Sequence, residues 1–289
     1  MSTGWVKFIP PRPPCENAEV EQGSRVAATE TVEVQSDGPV TVVAISKSER
    51  RNAVDSRTAT ALREAFEAFE VDDSACVAVL TGSGGTFCAG ADLKAMAEGD
   101  RRPVRENGPG PMGPTRLDLT KPVIAAIEGH AVAGGLELAL WCDLRVAATD
   151  AVLGVYCRRF GVPLVDGGSV RLARLIGQSH ALDLLLTGRG VGGPEALAMG
   201  LVNRLAPHGE SLRVAVDLAR QIASFPQVCM RNDRRSLLDQ WSLSDHDALV
   251  NEARLGRSTI ASGETAEGAS RFTKGEGRHG TPIPGLAGS

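Results

Sequence analysis

The sequence predicts an α/β fold built around a parallel sheet, and three features of its 289 residues carry that prediction. Two β-type runs, Cys76 to Leu80 (CVAVL) and Val123 to Ile127 (VIAAI), each lead into a glycine-rich turn and then into a helical pattern. Both runs are apolar at every position, as suits strands covered on both faces. The chain from Gly167 onward is helical in its periodicity, which appends a helical region to the strand-turn-helix core.

Near the N-terminus, Pro10, Pro11, Pro13 and Pro14 forbid a helix, and no continuous apolar segment is present. Residues 1–29 therefore read as a mobile, Pro-rich extension rather than a signal peptide. Thr31 to Val34 and Val40 to Ile45 are β-branched runs separated by Ser36-Asp37-Gly38-Pro39, which is hairpin chemistry. Next, Asp55 or Ser56 caps a helix whose apolar positions Ala59, Leu62, Phe66 and Phe69 follow helical spacing.

Leu144 to Ala148 and Leu153 to Val155 repeat the buried-strand pattern, and the helices between strands imply parallel pairing. From Glu98 to Thr120, Gly and Pro are too frequent for regular structure. That stretch is either a lid or pocket wall beside the glycine turns, or a disordered insertion. Helical patterns then run Ser169 to Ile176, Ser179 to Leu186, and Pro194 to Met199, the last closed by Gly200. Leu201 to Leu205 is extended, and Ser211 to Ala223, Gln227 to Trp241, Ser244 to Ile260 and Glu264 to Phe272 are helical. The expected organisation is an extension over 1–29, a core over 30–205 and a helical region over 206–289.

Bulk composition excludes several classes of function. Apolar residues make up 42% of the chain and charged residues 23%, an ordinary globular balance. With 31 basic and 35 acidic residues the net charge is −4, so no general electrostatic footprint for nucleic acid exists. No apolar run is long enough to span a membrane. The six cysteines form no Cys-x-x-Cys pair, which points to reduced, mostly buried thiols in a cytoplasmic protein. The five histidines are too dispersed for a metal motif, and His130, beside the second turn, is expected to orient that loop rather than catalyse. A Walker loop, a GxSxG elbow and a dinucleotide fingerprint are all absent.

The chemistry lies at the two glycine turns. Gly134-Gly135-Leu136-Glu137 opens a helix, so the Gly134 N–H is unpaired and sits at the positive end of the helix dipole. Gly90-Ala91-Asp92 opens the segment Leu93 to Met96 and leaves the Ala91 N–H free in the same way. Converging donors of this kind stabilise an oxyanion or enolate, each by roughly 3 to 4 kcal/mol. Either turn alone is better explained by close packing of helix on strand.

Taken together, and with Arg51-Asn52-Ala53 upstream, the turns resemble the crotonase, or enoyl-CoA hydratase/isomerase, superfamily over residues 31–272. The first turn of that family reads Phe-x-Ala-Gly-Ala-Asp-Leu/Ile-Lys, matched by Phe87, Ala89, Gly90, Ala91, Asp92, Leu93 and Lys94. The second reads Pro-Val-Ile-Ala-Ala, a linker and Gly-Gly-x-Glu-Leu-Ala, matched by Pro122 to Ala126 and Gly134 to Ala139. The resemblance implies a crotonase-like ββα spiral core with a C-terminal helical trimerisation region, assembled as a homotrimer or hexamer. It implies an acyl-CoA thioester substrate whose oxygen is held by the N–H groups of Ala91 and Gly134. Coenzyme A is then part of the substrate, and no separate cofactor or metal is expected. Ala53, Ala89, Asp92, Leu93 and Lys94 would flank the CoA, and Arg50 and Arg51 either contact its phosphates or form a solvated surface pair.

One departure bears on the reaction. Typical hydratases of the family carry two glutamates, one after the second glycine turn and one twenty residues later. Glu137 is the first, and the second position falls on Cys157. Glu137 is expected to act as the base once burial brings its pKa toward neutrality. Cys157 is either a weak donor or a small buried hydrophobe. Asp166, ahead of Gly167-Gly168-Ser169, either supplies the substitute acid, caps the following helix, or does both. The expected reaction is hydration of a 2-enoyl-CoA. The alternatives are double-bond isomerisation, other enolate or thioester chemistry such as decarboxylation, dehalogenation or thioester hydrolysis, and non-catalytic binding of acyl-CoA.

Overall fold

The structure is a computed structural model that describes residues 26–100 and 102–277. Most of the expected N-terminal extension lies outside the described residues. The described residues fall into two compact units, 26–223 and 224–277.

The first unit holds a seven-stranded sheet. An edge strand β1 (Val26–Ala28) pairs antiparallel with β2 (Val32–Asp37), which forms a hairpin with β3 (Val40–Ile45) in the register Asp37↔Val40. Gly38 takes φ +56° in the connecting turn, a conformation that glycine adopts without strain. Beyond β3 the pairing is parallel through β4 (Val77–Gly82), β5 (Val123–Ile127), β7 (Leu144–Ala148) and β10 (Arg204–Ala206). β1 falls within the stretch the sequence assigns to the extension.

Alternation along the strands divides the core in two. Val43, Ile45, Ala78, Leu80, Val123, Ala125 and Ile127 pack in one cluster with Leu62, Phe66 and Phe69 of α1 (Ser56–Val71). The Asp55 carboxylate caps α1 by accepting from the Thr58 N–H. The intervening buried residues Val77, Val79, Ile124 and Ala126 are left for the other face, where α6 (Ser211–Ala223) crosses β4, β5 and β7. Completing this unit are α2 (Leu93–Ala97), α3 (Gly134–Trp141), α4 (Gly168–Thr187) and α5 (Gly193–Ala198). Gly177, with φ +75°, breaks α4 between the two helical patterns seen in the sequence.

A correction concerns Leu153 to Val155. That run does not join the main sheet. β8 (Val152–Gly154) lies instead in a three-stranded sheet, parallel to β6 (His130–Val132) and antiparallel to β9 (Gly190–Gly192). Leu153 is as fully buried as the residues of the main strands, so burial alone did not tell which sheet the run enters. The described residues of the Glu98 to Thr120 stretch are irregular apart from a single 3₁₀ turn over Pro114–Arg116.

The second unit contains α7 (Gln227–Asp239), α8 (Asp245–Ala261) and α9 (Glu264–Thr273), with Ser244 capping α8. The unit boundary follows α6, whereas the sequence placed it before that helix. Among the described residues no helix is long and apolar enough to cross a membrane. Cys88, Cys142 and Cys157 are buried free thiols and Cys229 is half-buried and free, whereas Cys76 is disulfide-bonded, contrary to the expectation of six reduced thiols.

Candidate active site

The two glycine turns are neighbours because the second layer of β-structure extends through them. Cys88 N–H donates to His130 O (2.9 Å) and Val132 N–H to Cys88 O (3.1 Å), so the first turn runs beside β6. On its other side Val54 N–H donates to Gly90 O and Asp92 N–H to Val54 O, both at 2.8 Å. Gly90, at φ +97°, is where the turns touch: a Cβ there would lie 2.9 Å from the Gly134 nitrogen. Only glycine fits this approach.

β6 then feeds α3 through Ala133, which holds φ +55° and ψ −125°. A non-glycine residue in that region costs about 1–3 kcal/mol, a strain that the surrounding structure must offset. Ala133 N–H donates to Gly154 O (2.9 Å), and its carbonyl accepts from Glu137 N–H (3.2 Å) to close the first turn of α3. Gly134, first in the helix, has no carbonyl one turn back to bond. Among the described residues neither the Ala91 nor the Gly134 N–H donates a hydrogen bond, and both residues line one cavity of about 180 Å³.

Glu137 also borders this cavity although the residue is only 2% exposed. Its Oε1 accepts from the N–H of Asp166 (2.8 Å) and of Gly168 (2.9 Å). Oε2 accepts none among the described residues. Burial pushes the carboxyl up to about 7, the Asp166 charge adds to the rise, and the two amides and Arg171 oppose it. A carboxyl poised there exchanges protons near neutral pH.

Asp166 is buried and lines the same cavity, but it does not cap α4. Gly167 occupies the N-cap position, with φ +90° and no side-chain hydrogen bond. The Asp166 carboxylate turns instead to the Glu98–Thr120 stretch, where Oδ1 accepts from Met112 N–H (3.0 Å) and from the Thr115 hydroxyl. That contact makes the stretch a pocket wall: Arg102, Val104, Pro111 and Met112 all face the cavity. Arg102 reaches across it, donating to Pro111 O and, at 2.9 Å, to Val54 O.

Cys157 sits on the 3₁₀ turn Tyr156–Phe160 and lines the cavity. Burial and then the Glu137 charge push its thiol above the usual range, so it stays protonated near neutral pH. Much of the remaining wall is apolar, with Leu93, Met96, Phe160, Val162 and Val165 beside Met112, and Tyr156 also borders it. His130 is exposed on β6 and does not border the cavity.

The residues expected along CoA are distributed unevenly. Ala89 and Leu93 border the cavity, and Lys94 is exposed at the start of α2. Ala53 is buried, with its N–H on Arg50 O (3.1 Å). The Asp92 carboxylate faces inward: it caps α2 through the N–H groups of Lys94 and Ala95 (3.1 Å each) and meets Lys47 Nζ at 3.4 Å. Lys47 also pairs with Asp55 at 2.6 Å. Asn52, at φ +56°, bonds Ser83 O (2.9 Å), Thr86 O (2.6 Å) and the Lys47 N–H (2.9 Å), which pins the first turn from beneath. Sequence reasoning missed Lys47, Arg102, Met112, Thr115 and Arg171. Each has at least one partner distant in the chain: Asp92 for Lys47, Val54 for Arg102, Asp166 for Met112 and Thr115, and Thr115 for Arg171.

Comparison with known proteins adds a family. The model of the enoyl-CoA hydratase/isomerase family matches residues 35–278. An enoyl-CoA hydratase of Mycobacterium tuberculosis, EchA19, is 33% identical over 248 residues, covering 83% of this chain and 92% of the relative. A carnitinyl-CoA dehydratase of Salmonella arizonae is 40% identical over 197 residues, covering 67% of this chain and 75% of that protein. Among solved structures, the enoyl-CoA hydratase EchA1 of Mycobacterium marinum superposes with a TM-score of 0.80 at 33% identity, covering 85% of this chain and 96% of that one.

Proposed function

Since the chain belongs to the enoyl-CoA hydratase/isomerase family, we propose that it adds water across the double bond of a 2-enoyl-CoA thioester. The observation that carries this reading is the shared cavity, which brings two undonated amides and one buried, near-neutral carboxyl together. In the reaction the thioester oxygen lies between the N–H groups of Ala91 and Gly134. Glu137 takes a proton from water as the water oxygen bonds to C3. The C2–C3 π pair moves onto the C1 oxygen as an enolate, where the two amides stabilise the growing charge by roughly 3 to 4 kcal/mol each. The same carboxyl then returns the proton to C2. Oε1 stays on its two amides, and Oε2 is the oxygen that exchanges the proton.

A single carboxyl suffices for this cycle, and Cys157 enters as a neutral, weakly polar wall. A second reading is double-bond isomerisation, because moving a proton from C2 to C4 of a 3-enoyl-CoA likewise needs one base only. Incubation with short, long, branched and aromatic enoyl-CoA thioesters separates the two: hydration adds the mass of one water and isomerisation adds nothing. Glu137→Gln is expected to abolish either activity, and full turnover by that variant would remove Glu137 from the mechanism.

Assembly into a trimer or a pair of trimers belongs to the same proposal. In support, α7 and the turn after it expose Leu237, Leu238 and Trp241, and α8 and α9 expose Leu249, Val250, Ile260 and Phe272. Light scattering on the purified chain is expected to give a multiple of three protomers, and a monomer would contradict it.

A further inference from the structure

Glu137 takes its orientation from amides in the Asp166–Gly168 segment, and that segment is itself held from behind. We propose that Arg171 is a positioning residue for Glu137, clamping the carbonyls of Asp166 and Thr115 in one guanidinium fork and so fixing the Asp166–Gly167 peptide, which lies between the two peptides whose N–H groups, of Asp166 and Gly168, bond the base. Arg171 Nη1 donates to Asp166 O and Nη2 to Thr115 O, both at 2.7 Å. One planar group thereby joins the residue ahead of α4 to the 3₁₀ turn of the cavity wall.

Three observations show that the fork is a built feature. Gly167 takes φ +90°, and a Cβ on it would lie 2.3 Å from Arg171 Nη1, so glycine opens the space the guanidinium fills. Thr115 closes the ring from its other end: its hydroxyl donates to the Asp166 carboxylate while its carbonyl accepts from Arg171. Arg171 makes no ion pair among the described residues and does not border the cavity. Its hydrogen bonds go to neutral carbonyls, so it fixes geometry and does not touch substrate.

Asp166 is thus held at its N–H, its carbonyl and one carboxylate oxygen. Its N–H is on Glu137, its carbonyl on Arg171, and its carboxylate on Met112 and Thr115. Loss of the fork frees the Asp166–Gly167 peptide to rotate, which turns the N–H groups on either side of it and lets Oε1 swing. A displacement of about 1 Å at a reacting group costs on the order of 100-fold in rate.

The inference rests on Glu137 carrying the proton, and the experiment keeps the two failures apart. Wild type, Arg171→Met, Arg171→Lys and Glu137→Gln are compared for kcat and KM on a turned-over enoyl-CoA. Hydrogen exchange at the Asp166 and Gly168 amides is measured in parallel, relative to the amides of β4. Arg171→Met is expected to lower kcat about 100-fold with KM changed no more than about twofold, and to speed exchange at both amides by about tenfold or more relative to β4. Arg171→Lys keeps the charge but not the fork, and is expected to lose about tenfold in kcat.

Unchanged kcat in either folded variant overturns the proposal, as does a loss of kcat without faster exchange at those two amides. Should Arg171→Met fail to fold, Arg171→Lys decides by the same criteria. If Glu137→Gln turns over at the wild-type rate, or wild type acts on no thioester, the functional reading has failed. The exchange rates alone then decide whether Arg171 holds the segment.

Discussion

The Gly168 N–H lies 2.9 Å from Oε1 of Glu137, and the glycine is there because nothing larger leaves room for that carboxylate. A Cβ at Gly168 would sit 2.8 Å from Glu137 Cγ and 2.9 Å from Oε1. Helix α4 thus begins against the base, and its first amide is part of the site. Gly168→Ala must push the carboxylate off its two amides or move the helix start. The expected result is a fall in kcat of about 100-fold with little change in KM, read by steady-state kinetics.

Proton linkage at Glu137 gives opposite pH trends for activity and stability. As a base the carboxyl must be ionised, so kcat/KM is expected to rise with pH through about 7. Folding raises the carboxyl from 4.5 to about 7, so between those values the native chain holds a proton that the unfolded chain has released. Its contribution to stability is therefore complete below pH 4.5 and declines as pH rises toward 7, by about 3 kcal/mol at most. Urea unfolding at pH 5 and pH 7.5, on wild type and on Glu137→Gln, checks the difference, which the variant should lack.

Much of the scaffold was legible, and what was not has a common cause. The spacing of Ala59, Leu62, Phe66 and Phe69 predicts α1 because one face of it meets the sheet, and all four residues are buried. The limits of α6 coincide with the Ser211 to Ala223 pattern. By contrast β6, β8 and β9 span three residues each, too few for alternation to register, and they pair with segments distant in sequence. Asp166 illustrates the limit within the site. Cap preference alone favours it ahead of α4, yet Gly167 takes the cap position and frees the carboxylate for Met112 and Thr115, which lie about fifty residues earlier. Both turns were visible as glycine patterns, but their contact at Gly90 follows from the pairing of Cys88 with β6.

That contact supports a further test. Gly90→Ala adds a Cβ 2.9 Å from the Gly134 nitrogen and 3.1 Å from Val132 O, on a backbone at φ +97°. The strain is expected to cost about 1–3 kcal/mol of stability, visible as a lower denaturation midpoint. The catalytic loss should be larger than stability accounts for, because the turns must part between the two cavity-lining residues Ala91 and Gly134. A variant that folds and retains full kcat would mean that the spacing of Ala91 and Gly134 does not set the rate.

Cys157 tests how many acids the reaction uses. Its thiol is held above the usual range by burial and by the Glu137 charge, so near neutral pH it is a neutral group on the cavity wall. Cys157→Ala removes a weak donor and little volume, and kcat is expected to stay within about threefold of wild type, since truncating a buried thiol mainly costs packing. Cys157→Glu instead places a second carboxyl beside Glu137. Two such groups do not ionise together at no cost, and the pair is expected to share a proton, one carboxyl serving as base and the other as acid. The ratio of hydrated to isomerised product, measured by mass, should then rise over wild type. If Cys157→Ala loses activity as completely as Glu137→Gln does, the thiol takes part in the proton transfer and the one-carboxyl cycle is wrong.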